Sequence, residues 1–193
     1  MTKKEMIWRY ILHETLQKRA RSFMQKDIAA KFHISTSTVF NALKMPRKMN
    51  AVEVTGRMFR VRDPEKLLLL WATHRNPEKD ILYKTHSDLP IKKIEGMMPP
   101  DFIFGMFSAY RLVCGDAPAD YDIVYGYCEN PEAVKKRFPQ QKGYQNIVVI
   151  KMDPLLREYG NATPDVQTFV DLWNLKEWYA KDYLEQLKKK LKI

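Results

Sequence analysis

The chain has 193 residues, 45% of them apolar, enough for one or two domains with their own cores and too long to need disulfide staples. Its two cysteines, Cys114 and Cys128, form no CxxC pair, which argues against a disulfide framework and a four-ligand zinc site. The formal net charge is +10, and the whole excess lies in residues 1–62, with 14 Lys and Arg against 4 Asp and Glu, while residues 63–193 hold 19 of each.

A basic segment joined to a neutral one is what attraction to a polyanion requires, because neutralising phosphates releases counterions. Anionic membrane surfaces and acidic proteins attract the same kind of patch. The longest apolar run, Leu67 to Ala72, is six residues, against the roughly 20 needed to span a bilayer. The opening residues also lack an apolar signal core, so the chain reads as cytoplasmic, with no membrane partner.

In chain order, Ile7, Tyr10, Ile11, Leu12 and Leu16 recur at helical spacing and predict a first helix over about 2–19. After a polar break at Arg19 to Ser22, Ile28, Ala29 and Phe32 predict a second over 25–32. A tight turn at His33 leads to a third, capped by the Ser35 hydroxyl, carrying Val39, Ala42 and Leu43 inward and ended by Pro46. Residues 52–61 alternate apolar and polar side chains around Gly56, the pattern of a two-stranded hairpin. Asp63-Pro64-Glu65 then supplies a cap, a proline at the first helical position and an acid in the first turn of a helix reaching Arg75.

Four prolines, Pro77, Pro90, Pro99 and Pro100, and weak periodicity mark 76–100 as a connecting segment. Beyond it the pattern gives a helix over 102–113, a strand over 121–127, a helix over 131–138, a strand over 146–152, and C-terminal helices over 164–173 and 176–190. The expected fold class is therefore α+β. An N-terminal domain over 1–75 is followed by the connection and by a small α/β domain over 101–193.

Residues 27–43 resemble winged helix-turn-helix regulators of bacteria and archaea, in which Asp27-Ile28-Ala29, Ile34-Ser35, Ser37-Thr38-Val39 and Leu43 match a recurring pattern. Small Ala29 lets the second and third helices approach closely, and the hairpin follows at the distance of a wing. The resemblance implies that the helix from Ser35 enters the major groove of double-stranded DNA with Thr36, Ser37, Thr38, Phe40, Asn41 and Lys44 outward. Asn41 suits an adenine edge, Thr36 or Phe40 a thymine methyl, and Ser37 and Thr38 phosphate oxygens. Arg57 near the wing tip, with Arg60, would reach the backbone or minor groove. Lys26, Lys31, Arg47 and Lys48 are phosphate candidates. Ile28, Ala29, Ile34, Val39 and Leu43 are expected in the core.

In the second domain, Gly115 to Val124 resembles part of a nucleotidyltransferase signature, with Asp120 and Asp122 as the Asp-x-Asp pair that would hold magnesium on a nucleoside triphosphate. The match is incomplete: Ser108-Ala109 replaces Gly-Ser, and the later strand carries no acid before Asp153. A degenerate domain of that fold is the expectation, with no cofactor and no metal. Pro164 to Trp173 resembles a segment of AbiEi-type antitoxins, transcriptional regulators of type IV toxin-antitoxin systems that join a winged helix to an antitoxin domain. That resemblance implies autorepression of the protein's own operon and opposition to a nucleotidyltransferase-type toxin.

Three functions compete at this point: a DNA-binding regulator of antitoxin type, a magnesium-dependent nucleotidyltransferase using Asp120 and Asp122 behind a nucleic-acid-binding module, and a non-catalytic adaptor whose winged helix binds protein. Many such regulators read palindromes as homodimers, although no heptad repeat enforces one here. The four histidines show no metal-ligand spacing.

Overall fold

In the computed structural model, which describes residues 1–193, the first helix, α1 (Lys3–Leu16), begins on a reciprocal cap. The Thr2 hydroxyl accepts from the Glu5 amide while the Glu5 carboxylate accepts from the Thr2 amide. Its apolar stripe, Ile7, Trp8, Ile11 and Leu12, is fully buried against α3 (Thr36–Lys48) and α4 (Pro64–His74). Burial of one such side chain is worth about 1.5–3 kcal/mol. Between α1 and α3 lie β1 (Ser22–Met24) and α2 (Gln25–Lys31). After α3 come β2 (Val52–Thr55) and β3 (Met58–Val61), and Asp63 caps α4 as expected, accepting from the Lys66 amide at 3.0 Å.

Two features of this part differ from expectation. Ser22–Met24, between the polar break expected at Arg19 to Ser22 and the helix expected from Gln25, is a strand: Phe23 is buried and pairs with Phe59, giving an antiparallel sheet ordered β1-β3-β2. Only one of its three residues faces the core, too little to register as alternation. The second is Pro46, which sits inside α3 instead of ending it. Proline cannot donate to the carbonyl four residues back, which is that of Ala42. The indole Nε1 of Trp8 donates to that carbonyl at 2.9 Å and replaces the missing backbone bond.

The chain divides into two compact units: Thr2–Arg75 with Lys188–Ile193, and Met1 with Asn76–Leu187. The second unit holds a four-stranded sheet, ordered β4-β7-β6-β5, of β4 (Ile81–Thr85), β5 (Ile103–Phe104), β6 (Val124–Cys128) and β7 (Ile147–Lys151). β6 and β7 run parallel, joined through α7 (Glu132–Arg137); the other pairs are antiparallel. Both faces of β6 and β7 are covered, which is why they read as continuous apolar runs. Val124, Cys128, Ile147 and Val149 pack with Ile94 and Met98, at and just beyond α5 (Ile91–Gly96), and with Val134 and Phe138. Tyr125 and Tyr127 point the opposite way, where α6 (Met106–Cys114) and α8 (Asp165–Trp173) pack. α9 (Ala180–Leu191) closes the chain.

The segment 76–100, expected as a connection, contributes the edge strand β4 and the helix α5 to this unit. Its prolines flank these elements instead of dissolving them. The helix expected from 102 begins only at Met106, because the Phe104 backbone bonds outward to Asn161 and Thr163. The fold is thus a mixed α+β one with nine α-helices and two small sheets. None of the helices is long and apolar enough to cross a membrane.

Candidate nucleic-acid interface

The candidate site is built by α3 and the β2–β3 hairpin. Phe32 ends α2, His33 turns with φ of 50°, and Ser35 caps α3 by accepting from the Thr38 amide at 3.2 Å. Beyond α3, Gly56 occupies the first of two hairpin loop positions with φ of 60°, the positive value a II′ turn needs there. That turn places exposed Arg57 at the tip. Of the residues of 27–43 expected in the core, Ile28, Ala29, Val39 and Leu43 are buried and Ile34 is half-buried.

β2 is an edge strand, and the space between it and α3 forms three adjoining recesses. One of about 540 Å³ is lined by Gln25, Lys26, Thr36, Phe40, Arg47, Val54, Gly56 and Arg57. Another of about 300 Å³ lies against Phe40, Leu43, Lys44, Arg47, Lys48 and Val54. The third, of about 430 Å³, is bounded by Arg47, Asn50, Val52, Glu53, Val54 and Arg62. Arg47 and Val54 line all three, so they form the spine of one groove. Phe40 is 44% exposed between the first two, and the Lys44 ammonium lies 5.7 Å from its ring centroid.

The structure sorts the twelve expected contact residues into groups. Lys26, Thr36, Phe40, Lys44, Arg47, Lys48 and Arg57 converge on the groove. Ser37 and Asn41 are exposed on the neighbouring stripe of α3 and line none of the recesses. The hydroxyls of Ser37 and half-buried Thr38 lie 2.8 and 2.9 Å from Ser35 Oγ, so both are tied into the cap. The Lys31 ammonium lies 5.5 Å from the Tyr10 ring centroid on α1. Arg60 donates through Nε to Glu53 at 2.5 Å, and Arg62 donates through Nη2 to the same carboxylate oxygen at 2.9 Å. These two guanidiniums hold the Glu53 carboxyl below the usual carboxylate range. Gln25, Asn50, Val54 and Arg62 escaped the sequence reading. Arg62 could have been found from strand alternation, since Arg60 and Arg62 share a face.

Asp120 and Asp122 fall ahead of β6, which begins at Val124, and not on a strand as the sequence reading had Asp122. The Asp122 carboxylate accepts from the Tyr179 hydroxyl and, at 3.5 Å, from that of Tyr144. Ser108 is buried within α6, and no three His, Cys, Asp or Glu side chains come together as a metal-holding group. Gln167, Thr168, Phe169, Asp171 and Leu172 of α8 are all buried, with Tyr127 donating to Asp171 at 2.5 Å. No protein-family model, curated protein or solved structure gives a significant match to the chain.

Proposed function

We propose that the protein is a sequence-specific regulator that binds double-stranded DNA through Thr2–Arg75. The observation that carries this reading is the groove between α3 and β2, with Arg47 along its length, Lys26, Lys44, Lys48 and Arg57 around it, and Phe40 projecting into it. The element order α1-β1-α2-α3-β2-β3 with sheet order β1-β3-β2 supports the winged helix-turn-helix reading. On this reading α3 enters the major groove, about 12 Å wide and able to admit a helix, and the hairpin is the wing.

The contacts divide by chemistry. The cations of the groove neutralise backbone phosphates and fix the register without reading sequence. Base reading falls to the α3 surface: Asn41 on an adenine edge, and the exposed Phe40 ring on a thymine methyl. The resemblance of α8 to antitoxin regulators extends the proposal to autorepression of the protein's own operon and to a nucleotidyltransferase-type toxin as partner. A catalytic role for Asp120 and Asp122 is not favoured, because tyrosine hydroxyls hold Asp122 and neither residue stands on a strand.

Binding to the protein's own promoter against a scrambled duplex, measured across salt concentrations, tests the proposal. Preference for the promoter with a steep negative salt slope supports it; equal affinity or no salt dependence overturns it. Incorporation of labelled nucleoside triphosphate in Mg²⁺ that is lost in Asp120→Asn would establish the catalytic alternative instead.

A further inference from the structure

Glu53 is the one acidic residue between Asp27 and Asp63, and the one acid lining any of the three recesses. Its place is set by strand register: β2 and β3 pair Glu53 directly with Arg60. One oxygen of its carboxylate accepts from both Arg60 and Arg62. Every other cation of the groove, Lys26, Arg47, Lys48 and Arg57 among them, has no carboxylate beside it. The wing thus carries three arginines and occupies two of them with a single internal anion.

The pairing has the chemistry of a placeholder. A carboxylate bridging two guanidiniums occupies the donors that a phosphodiester oxygen would use. The three side chains are 54%, 52% and 40% exposed for Arg60, Arg62 and Glu53, so the pairs form in high dielectric and hold weakly. Glu53 and Arg62 also line the third recess beside Arg47 and Asn50, which joins the rest of the groove through Arg47 and Val54. A phosphate arriving there meets Arg62 and Arg47 together with the like charge of Glu53, whose other partner is Arg60.

We infer that Glu53 is an internal competitor for DNA phosphate, which occupies Arg60 and Arg62 in the free protein and yields them to the backbone on binding. This rests on the DNA-binding reading above. Because phosphate contacts carry no sequence information, the competition weakens binding to every duplex alike and leaves the preference between sequences unchanged. It keeps a strongly basic domain from saturating on arbitrary DNA.

The test measures salt-dependent affinity of the full chain for promoter and scrambled duplexes. Glu53→Gln should tighten both by the same factor, about tenfold near 0.1 M salt, and steepen the salt slope by at most about one, for the single carboxylate charge removed. Glu53→Thr, which keeps strand propensity, should give the same gain. In an Arg60→Gln, Arg62→Gln background neither substitution should tighten binding. Unchanged or weaker affinity in both Glu53 variants, a gain for one duplex only, or the same gain without the arginines overturns the inference while wild-type binding stands. A wild-type chain with no salt-dependent affinity for either duplex overturns the DNA-binding reading, and this inference with it.

Discussion

The groove of the first unit and the tyrosine cluster of the second use polar groups in opposite ways. Around α3 and β2, cations stand exposed beside an exposed phenyl ring, and one carboxylate holds two of the arginines. In the second unit the acids are answered from within: Tyr121 and Arg111 both bond Glu95, Tyr125 donates to Glu177 at 3.2 Å, Tyr127 to Asp171, and Tyr179 to Asp122. Phe107 stacks on Tyr121 and packs at tilted or edge-on angles against Tyr125, Tyr179 and Tyr183. Neutral hydroxyls satisfy these acceptors with hydrogen bonds and bring no positive charge of their own, so the acids here are held without a cation except at Glu95, which also bonds Arg111. The first unit has more cations than its few carboxylates can pair, and the proposed function rests on that excess.

The largest expected effect on this contrast comes from removing the groove's cations. Arg47→Ala with Arg57→Ala should weaken promoter binding about a hundredfold at low salt and lower the salt slope by about two. Thermal unfolding followed in parallel should move little, since both side chains are exposed. A large loss of stability would mean that the groove is structural.

Gly126→Ala probes the other region. A Cβ there would meet Phe102 Cε1 at 2.2 Å and the Ile103 carbonyl oxygen at 2.7 Å, so Phe102 could no longer cross the sheet. The expected cost is about 2 kcal/mol, seen as a melting temperature lower by about 4–8 °C. An unchanged melting curve would show that the packing at β6 is loose.

Trp8→Phe should cost about 1–3 kcal/mol, because it leaves the buried Ala42 carbonyl without the donor that Pro46 cannot provide. Restoring the backbone bond in the same background with Pro46→Ala should recover part of the loss. If the two substitutions simply add, the indole is not the replacement donor.

The smallest effect is a titration. Burial, then the hydrogen bond to Glu95, push the Tyr121 hydroxyl up to about 12. A folded-state value raised in this way contributes stability below the ordinary tyrosine range, near pH 10, and that contribution is lost as pH rises through 12. Phenolate absorbance should therefore show fewer tyrosines ionising near pH 10 in the folded protein than after denaturation, with Tyr121→Phe removing one of the late groups. Ionisation of all tyrosines together near pH 10 would contradict the buried pairing.

Much of the first unit was legible in the chain. Ser35, Gly56 and Asp63-Pro64 act locally, through a cap, a turn and a helix start, and each does in the structure what its chemistry dictates. Ile28, Ala29, Val39 and Leu43 fell on the buried side because helical spacing decides which face they share. What failed were short strands and distant partners. β1 and β5 have too few inward residues for alternation to show, and β4 hides its own by carrying the apolar Leu82 on its exposed side; all three pair with a neighbouring strand. The ending expected at Pro46 overlooked a donor 38 residues earlier, and the Asp122 carboxylate is occupied by a tyrosine 57 residues later.

The opening feature, a charge excess confined to residues 1–62, was fixed by composition, as were the cap, the hairpin turn and the apolar stripe of α3. Those depend on contacts within a few residues. The groove itself was decided by tertiary structure, because it exists only where α3 and the edge of β2 come together with Arg47 between them. The two fates of the hairpin arginines, Arg57 left at the tip and Arg60 and Arg62 drawn onto Glu53, likewise follow from pairing two strands in one register, an arrangement that folding has to close before the charges can meet.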